Sequence, residues 1–263
     1  MKTKFLELKN ISKSFGKVSA LKRINFYIKG EPEIVGLIGD NGAGKSTLIK
    51  IISGIHAPDC GEIYINGKRI RIKNWSVVKS RASGVETVYQ DRALAMQQTL
   101  ARNIFMGREL TSIFGFVKSK LQFSEADRLM RMIGFTSKVF ASDSAVLNLS
   151  GGERQGVAIA RAFYFKANLM ILDEPTTALS LTEAQKIFTF IRQAKKGGTS
   201  CIFITHNIYH AYDVSDRCVV VDRGKIIMET DREHNTVEQL IKDMQKIAQS
   251  NGKVKEDINN GRS

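Results

Sequence analysis

The stretch Gly39-Asp40-Asn41-Gly42-Ala43-Gly44-Lys45-Ser46-Thr47 fits the pattern G-x-x-x-x-G-K-[ST]. An apolar run, EIVGLIG, leads into it and a helical pattern, KSTLIKIISGI, leaves it, which is the context this pattern requires. Glycines let successive backbone N–H groups turn inward and form a nest for an anion. The helix that follows adds unpaired N–H groups and the positive end of its dipole. Lys45 is placed to reach the β- and γ-phosphates of a nucleotide, and Ser46 to offer its hydroxyl to Mg²⁺. A chance glycine turn would not carry both the strand and the helix in register.

The run LMILDE at 169–174 delivers two carboxylates at the end of an apolar strand, where α/β folds hold their ligands. Asp173 suits Mg²⁺ through a water, and Glu174 suits the orientation and deprotonation of an attacking water. Neighbouring strand residues point to opposite sides, so the two roles do not compete. Such pairs also occur as helix caps or in salt bridges; the lysine loop upstream favours the metal and base roles. Residues 149–155, LSGGERQ, set Ser150, Gly151 and Gly152 ahead of helix formers. That is a second phosphate-binding helix start, and one nucleotide site needs only one. Three single residues carry little alone. His206 follows the strand-like CIFIT, Gln90 follows ETVY, and the Phe15 ring can stack on adenine or simply fill a small core.

The elements that must hold these residues are legible in the hydrophobic pattern. Residues 3–30 alternate as antiparallel strands. After the loop at 39–47, Leu48, Ile51, Ile52 and Ile55 fall on one helix face, with Gly54 helping to end the helix. Asn66-Gly67 between alternating runs at 61–73 reads as a hairpin. From about 91 to 165 helical patterns dominate, and SEADRLMRMIG reads as a helix capped by Ser124 and stopped at Gly134. From Leu169 strands and helices alternate again: LMILDE, a helix stopped by Gly197-Gly198, CIFIT, CVVVD and KIIM. That alternation implies a parallel sheet, with the helical middle inserted into an α/β core.

The bulk properties bound the partners. The 263 residues are 43% hydrophobic and 25% charged, with three prolines, ordinary for a globular chain. The net charge of +14 suits nucleic acid or an anionic membrane face, or a merely solvated basic surface. Cys60, Cys201 and Cys218 lie far apart, two of them in strand-like runs, and read as reduced core residues. The N-terminus has no signal-peptide pattern and no run is apolar enough to span a membrane.

Taken in order, Phe15, residues 39–47, Gln90, LSGGERQ, LMILDE, Ala178-Leu179-Ser180 and His206 resemble the motif series of ABC transporter ATP-binding subunits, over about residues 4–245. The stretches VYQDRALAMQQTLARNIFMGREL, EPTTALS and ITHNIYHAYDVSDRCVVVDRGK are similar to ATPases of bacterial sugar importers of the ribose, xylose and fructose type. The match is to the shorter members with one ATPase domain. The resemblance implies an α/β fold: a P-loop NTPase core with an antiparallel β-subdomain and an inserted helical subdomain. The ABC ATPase domain would cover 1–250, with helical residues at about 91–165 and a polar tail at 251–263.

The resemblance also implies the site. Glu174, His206, Lys45 and Gln90 would act in hydrolysis. Phe15, Gly39, Asn41, Gly42, Ala43, Gly44, Lys45, Ser46 and Thr47 would hold ATP. Ser46, Gln90 and Asp173 would hold Mg²⁺. Two chains would pair head to tail, with Ser150, Gly151 and Gly152 of one facing the γ-phosphate on the other. The further partners implied are membrane permease subunits, met by a groove in the helical segment, and indirectly a sugar-binding protein. The place of work would be the cytoplasmic face of the membrane, and no nucleic acid is expected. Ser180 stands where the family usually has aspartate, and Phe15 where tyrosine is common. Two other readings remain open: an ABC ATPase for another cargo, and a soluble one acting on nucleic acid, which the +14 charge favours mildly and the lack of long insertions disfavours.

Overall fold

The computed structural model describes residues 4–89, 94–135, 141–165, 167–177 and 179–247. Strands β1 (Lys4–Phe15) and β2 (Val18–Lys29) pair antiparallel. Then β3 (Ile34–Ile38) runs into the phosphate-type loop and α1 (Lys45–Ile52) leaves it. Strands β4 (Cys60–Ile65) and β5 (Lys68–Ile70) form the Asn66-Gly67 hairpin, with both turn residues at positive φ. The first sheet has the order β2-β1-β4-β5 and is antiparallel throughout.

Next come α2 (Val77–Ala82), β6 (Val85–Val88), then α3 (Leu100–Phe105), α4 (Ser119–Met132) and α5 (Gly151–Tyr164). The chain returns through β7 (Leu169–Asp173), α6 (Leu181–Lys196), β8 (Ser200–Thr205), α7 (Ile208–Val214), β9 (Arg217–Asp222) and β10 (Lys225–Asp231). The second sheet has the order β10-β9-β3-β8-β7-β6. Its pairs are parallel except β9 with β10.

Both faces of this sheet are covered, which is why LMIL and CIFI read as continuous apolar runs rather than alternating ones. Leu169 and Ile171 of β7 pack toward α1 and the first sheet, with Leu48, Ile51 and Ile204. Met170 and Leu172 pack on the opposite face with α3–α6, through residues such as Ile104, Leu129, Val157 and Phe188. By the same alternation Asp173 falls on the α1 side. Arg217, fully buried, ties the sheets together. Its guanidinium donates to Glu33 Oε1 (3.0 Å), Glu229 Oε1 (2.8 Å) and the Tyr27 carbonyl (2.9 Å). Removing one partner of such a buried pair costs roughly 3–5 kcal/mol.

Three local expectations need correction. Helix α1 ends at Ile52, and Ile55 lies beyond it, 45% exposed, not on its buried face. Ser124 does not cap a helix: α4 starts five residues earlier, at Ser119, and the Ser124 hydroxyl donates back to Leu121 O at 3.0 Å. The helix extends because Gln122, Ala126, Leu129 and Met130 share one buried face. Gly134 does follow its end, at φ 92°. Cys201 and Cys218 are buried free thiols, and burial pushes the Cys218 thiol up to about 12. Cys60 is exposed at the start of β4, not a core residue.

Candidate nucleotide site

Three adjacent strands deliver the site. In the sheet order, β8 lies between β3 and β7, and Ile38 pairs with Thr205 while Asp173 pairs with Ile204. The carboxyl ends of all three therefore lie side by side, where parallel sheets bind ligands. The glycine loop leaves β3, Glu174 follows β7, and His206 follows β8.

The loop lines a cavity of about 400 Å³ with Asp40, Asn41, Gly42 and residues 44–47. Gly44 is the N-cap of α1 at φ 112°, and a Cβ there would stand 2.8 Å from Ala20 O. Only glycine meets both conditions. The buried Lys45 side chain curls back over its own loop, donating to Gly39 O (2.6 Å) and Asp40 O (3.0 Å). Burial lowers its pKa, opposed by the nearby carboxylates of Glu174, Asp173 and Asp40. The far wall comes from Val18, Ser19, Ala20 and Lys22 and from Arg223-Gly224. Lys22, Lys45 and Arg223 together give the cavity a cationic lining suited to a polyphosphate.

Asp173 is buried, and its carboxyl is pushed up to about 6, first by desolvation and second by the Glu174 charge, with Lys45 and Lys50 opposing. Glu174 has a left-handed backbone, φ 49°, a conformation that for a non-glycine residue marks a tightly constrained site. Its side chain is held from several directions. Oε1 accepts from the His206 backbone N–H at 3.0 Å and lies 2.9 Å from His206 Nδ1; Oε2 accepts from Thr177 Oγ1 at 3.2 Å. The turn carrying Glu174 is itself tied to α7, because Thr176 Oγ1 lies 3.1 Å from His210 Nδ1.

At the start of α5, Ser150 forms a reciprocal capping box with Glu153: its hydroxyl accepts from Glu153 N (3.2 Å) and its N–H donates to Glu153 Oε2 (2.8 Å). Gly151 faces open space, whereas a Cβ on Gly152 would collide with the Glu183 carboxylate. Glu183 is the partner of Ser180 in a second capping box, at the start of α6. Ser180 therefore has a structural task of its own, and it brings Glu183 against the LSGG turn.

Contacts bring together Gly39, Lys45, Asp173, Glu174 and His206, and Lys45 shares the loop cavity with Asn41, Gly42, Ser46 and Thr47; Ala43 is buried beneath the loop. No residue of Ser150–Gly152 lines this cavity. Phe15 stands at the end of β1, 45% exposed, so it is not core; its ring meets His56 edge-on at 5.3 Å, and its strand partner Val18 lines the cavity instead. Gln90 and Ala178 lie outside the described residues. Lys22, Arg223, Thr176 and His210 were not singled out from the sequence. Only the Arg223-Gly224 turn, between two strand patterns, gave any signal.

This fold and site define a P-loop ATPase of the α/β class. The ABC transporter family model matches residues 21–177, and the chain belongs to that family as an ATP-binding, ATP-hydrolysing component. The chain is 44% identical to the xylose/arabinose import ATP-binding protein of Sulfolobus acidocaldarius, over 92% of this chain and 94% of that one. It is 38% identical to the fructose import ATP-binding protein of Rhizobium meliloti, over 84% and 85%. It is 34% identical to the ribose import ATP-binding protein of Caldanaerobacter subterraneus, over 91% of this chain but only 47% of that longer one. Among solved structures, it superposes with a TM-score of 0.74 and 27% identity on the dimeric ATP-binding cassette MJ0796 in a post-hydrolysis state bound to ADP and Pi, covering 86% and 98%.

Proposed function

We propose that this chain is the ATPase of an importer for a monosaccharide, working as an ATP-closed homodimer against membrane permease subunits that receive sugar from a separate binding protein. The sugar class rests on the relatives, which are import ATP-binding proteins for xylose/arabinose, ribose and fructose. The ATPase domain spans 1–250, with a helical subdomain at about 91–165. Among the described residues no helix is long and apolar enough to cross a membrane. The import ATP-binding relatives support docking to membrane subunits at the cytoplasmic face. No nucleic-acid partner is invoked.

The loop cavity and the contacts of Glu174 support the following assignment of roles. The loop N–H groups, Lys45 and Thr47 bind the phosphates, and Phe15 at the rim packs against the base. Among the described residues no group of three or more His, Cys, Asp or Glu side chains could cage a metal. Among the described residues the donors are one carboxylate, Asp173, and one hydroxyl, Ser46; Gln90 is assigned to the ion from its sequence position alone. This donor set suits Mg²⁺, which takes few protein ligands and completes its shell with water and phosphate. Asp173, a buried carboxylate pushed up to about 6, gains a counter-charge when the ion binds. Held by Asp173 and Ser46, Mg²⁺ would supply neutralisation of phosphate charge.

Glu174 orients and deprotonates the attacking water, and His206 holds Glu174 in place through the 2.9 and 3.0 Å contacts. The observation that supports the dimer is the likeness to a cassette that is itself dimeric, MJ0796 in its ADP and Pi state, together with a second phosphate-type helix start in a chain with one glycine loop. Ser150, Gly151 and Gly152 serve the γ-phosphate of the partner's site. ATP thus closes the dimer, and loss of the γ-phosphate opens it. The test is Ser150→Ala. Nucleotide affinity of the isolated chain should be unchanged while turnover falls; equal loss of both would place the signature in its own chain's site.

A further inference from the structure

Of the five most exposed large apolar side chains among the described residues, Leu181 and Val78 stand apart, while Ile113, Phe114 and Phe116 gather in one place outside the nucleotide site. Between α3 and α4 the chain forms a short hairpin closed by the Thr111–Val117 bridge. At its tip Ile113, Phe114 and Phe116 are 94%, 80% and 75% exposed. Scattered apolar residues on a surface need no explanation, but a contiguous group does.

The hairpin is built to hold these side chains outward. Ser112 N donates to Phe116 O (2.8 Å), Gly115 N to Ser112 O (3.0 Å), and Lys118 N to Leu110 O (2.7 Å). Phe116 N donates to the Ser112 hydroxyl at 3.2 Å. Gly115, at φ 82°, turns the tip. These four backbone donors are thus satisfied within the hairpin, which lowers the cost of bringing them toward an apolar phase. The charge around the tip has one sign. Residues 110–124 contain no Asp or Glu, and Lys118 and Lys120 follow directly behind the apolar tip. Both lysines are exposed, on stems long enough to keep their ammonium groups at an interface while the apolar tip goes deeper.

We propose that this hairpin is a membrane-surface anchor: Ile113, Phe114 and Phe116 insert into the acyl boundary of an anionic leaflet while Lys118 and Lys120 pair with its headgroups. A narrow convex tip suits a fluid bilayer, which adapts to it, and apolar insertion with adjacent cations is the usual composition of an interfacial anchor. The inference stands apart from the importer reading, because lipid alone suffices to test it.

The experiment is flotation of the full chain with vesicles of phosphatidylcholine, alone or mixed equally with phosphatidylglycerol. With a net charge of +14, general attraction to anionic lipid is the competing cause. The decisive variant therefore keeps the charge: Ile113→Ser, Phe114→Ser and Phe116→Ser together. The account expects wild type to float with the anionic vesicles and the triple variant to bind roughly tenfold or more weakly, with ATPase activity in solution unchanged. Phe114→Trp should shift its emission to the blue on adding those vesicles, against the buried Trp75, whose indole is bonded to Ile51 O at 2.7 Å. Equal flotation of the triple variant would overturn the proposal, as would no flotation of wild type. Binding only to membranes that contain permease would overturn it in favour of a protein partner.

Discussion

The contact between His206 and Glu174 allows a prediction with a magnitude. Replace His206 by Ala, and Glu174 loses the ring contact at 2.9 Å but keeps the His206 backbone N–H at 3.0 Å and Thr177 Oγ1 at 3.2 Å. A hydrogen bond to a charged group is worth roughly 1.5–3 kcal/mol. The His206 side chain is 62% exposed, which puts its share at the lower end. About 1.5 kcal/mol corresponds to roughly a tenfold fall in kcat. Glu174→Gln, which removes the base itself, should cost about 10²–10⁴-fold. If His206 acts by holding Glu174, adding His206→Ala to Glu174→Gln should change kcat by less than about twofold, because groups acting as one unit are not additive. The assay is steady-state ATPase at saturating MgATP, with nucleotide binding measured separately and expected to be unchanged in all variants. A double variant that loses the full product of the single effects would refute the reasoning and give His206 an independent role.

Two further outcomes follow from the same geometry. Asp173 is held at about 6 against an ordinary 3.8, so the folded chain keeps a proton between those values that the unfolded chain has released; nucleotide-free stability should therefore fall as pH rises from about 4 to 6. Asp173→Asn should remove that slope and stabilise the nucleotide-free chain at pH 7 by up to about 3 kcal/mol, checked by urea unfolding at several pH values, with identical slopes in both proteins counting against it. Gly152→Ala should destabilise by about 0.5–2 kcal/mol, because its methyl must displace Glu183 from the α6 cap. Gly151→Ala, facing open space, should be close to neutral. Equal thermal shifts for the two would refute that packing.

What the sequence disclosed is what is local. The strand, glycine loop and helix at 34–52 are adjacent in the chain, so pattern and geometry coincide. The hairpin at Asn66-Gly67 and the strands at 169–173 and 200–205 were legible for the same reason. The sheet order was not, because β8 inserts between β3 and β7 although it follows both in sequence. That insertion is what sets His206 beside Glu174. His210 and Thr176, Lys22 and Arg223 join the site only through tertiary contacts, and no short-range pattern announces them. The misplaced start of α4 shows the limit of cap signals. Ser124 had the right neighbours, but a buried face running back to Gln122 carried the helix past it.

The central claim is that LSGGERQ completes a site on a second molecule. The most direct measurement is the mass in solution of Glu174→Gln at saturating MgATP, by light scattering. The account predicts a dimer that dissociates when nucleotide is removed, and that Ser150→Ala weakens. A monomer under saturating MgATP would contradict it.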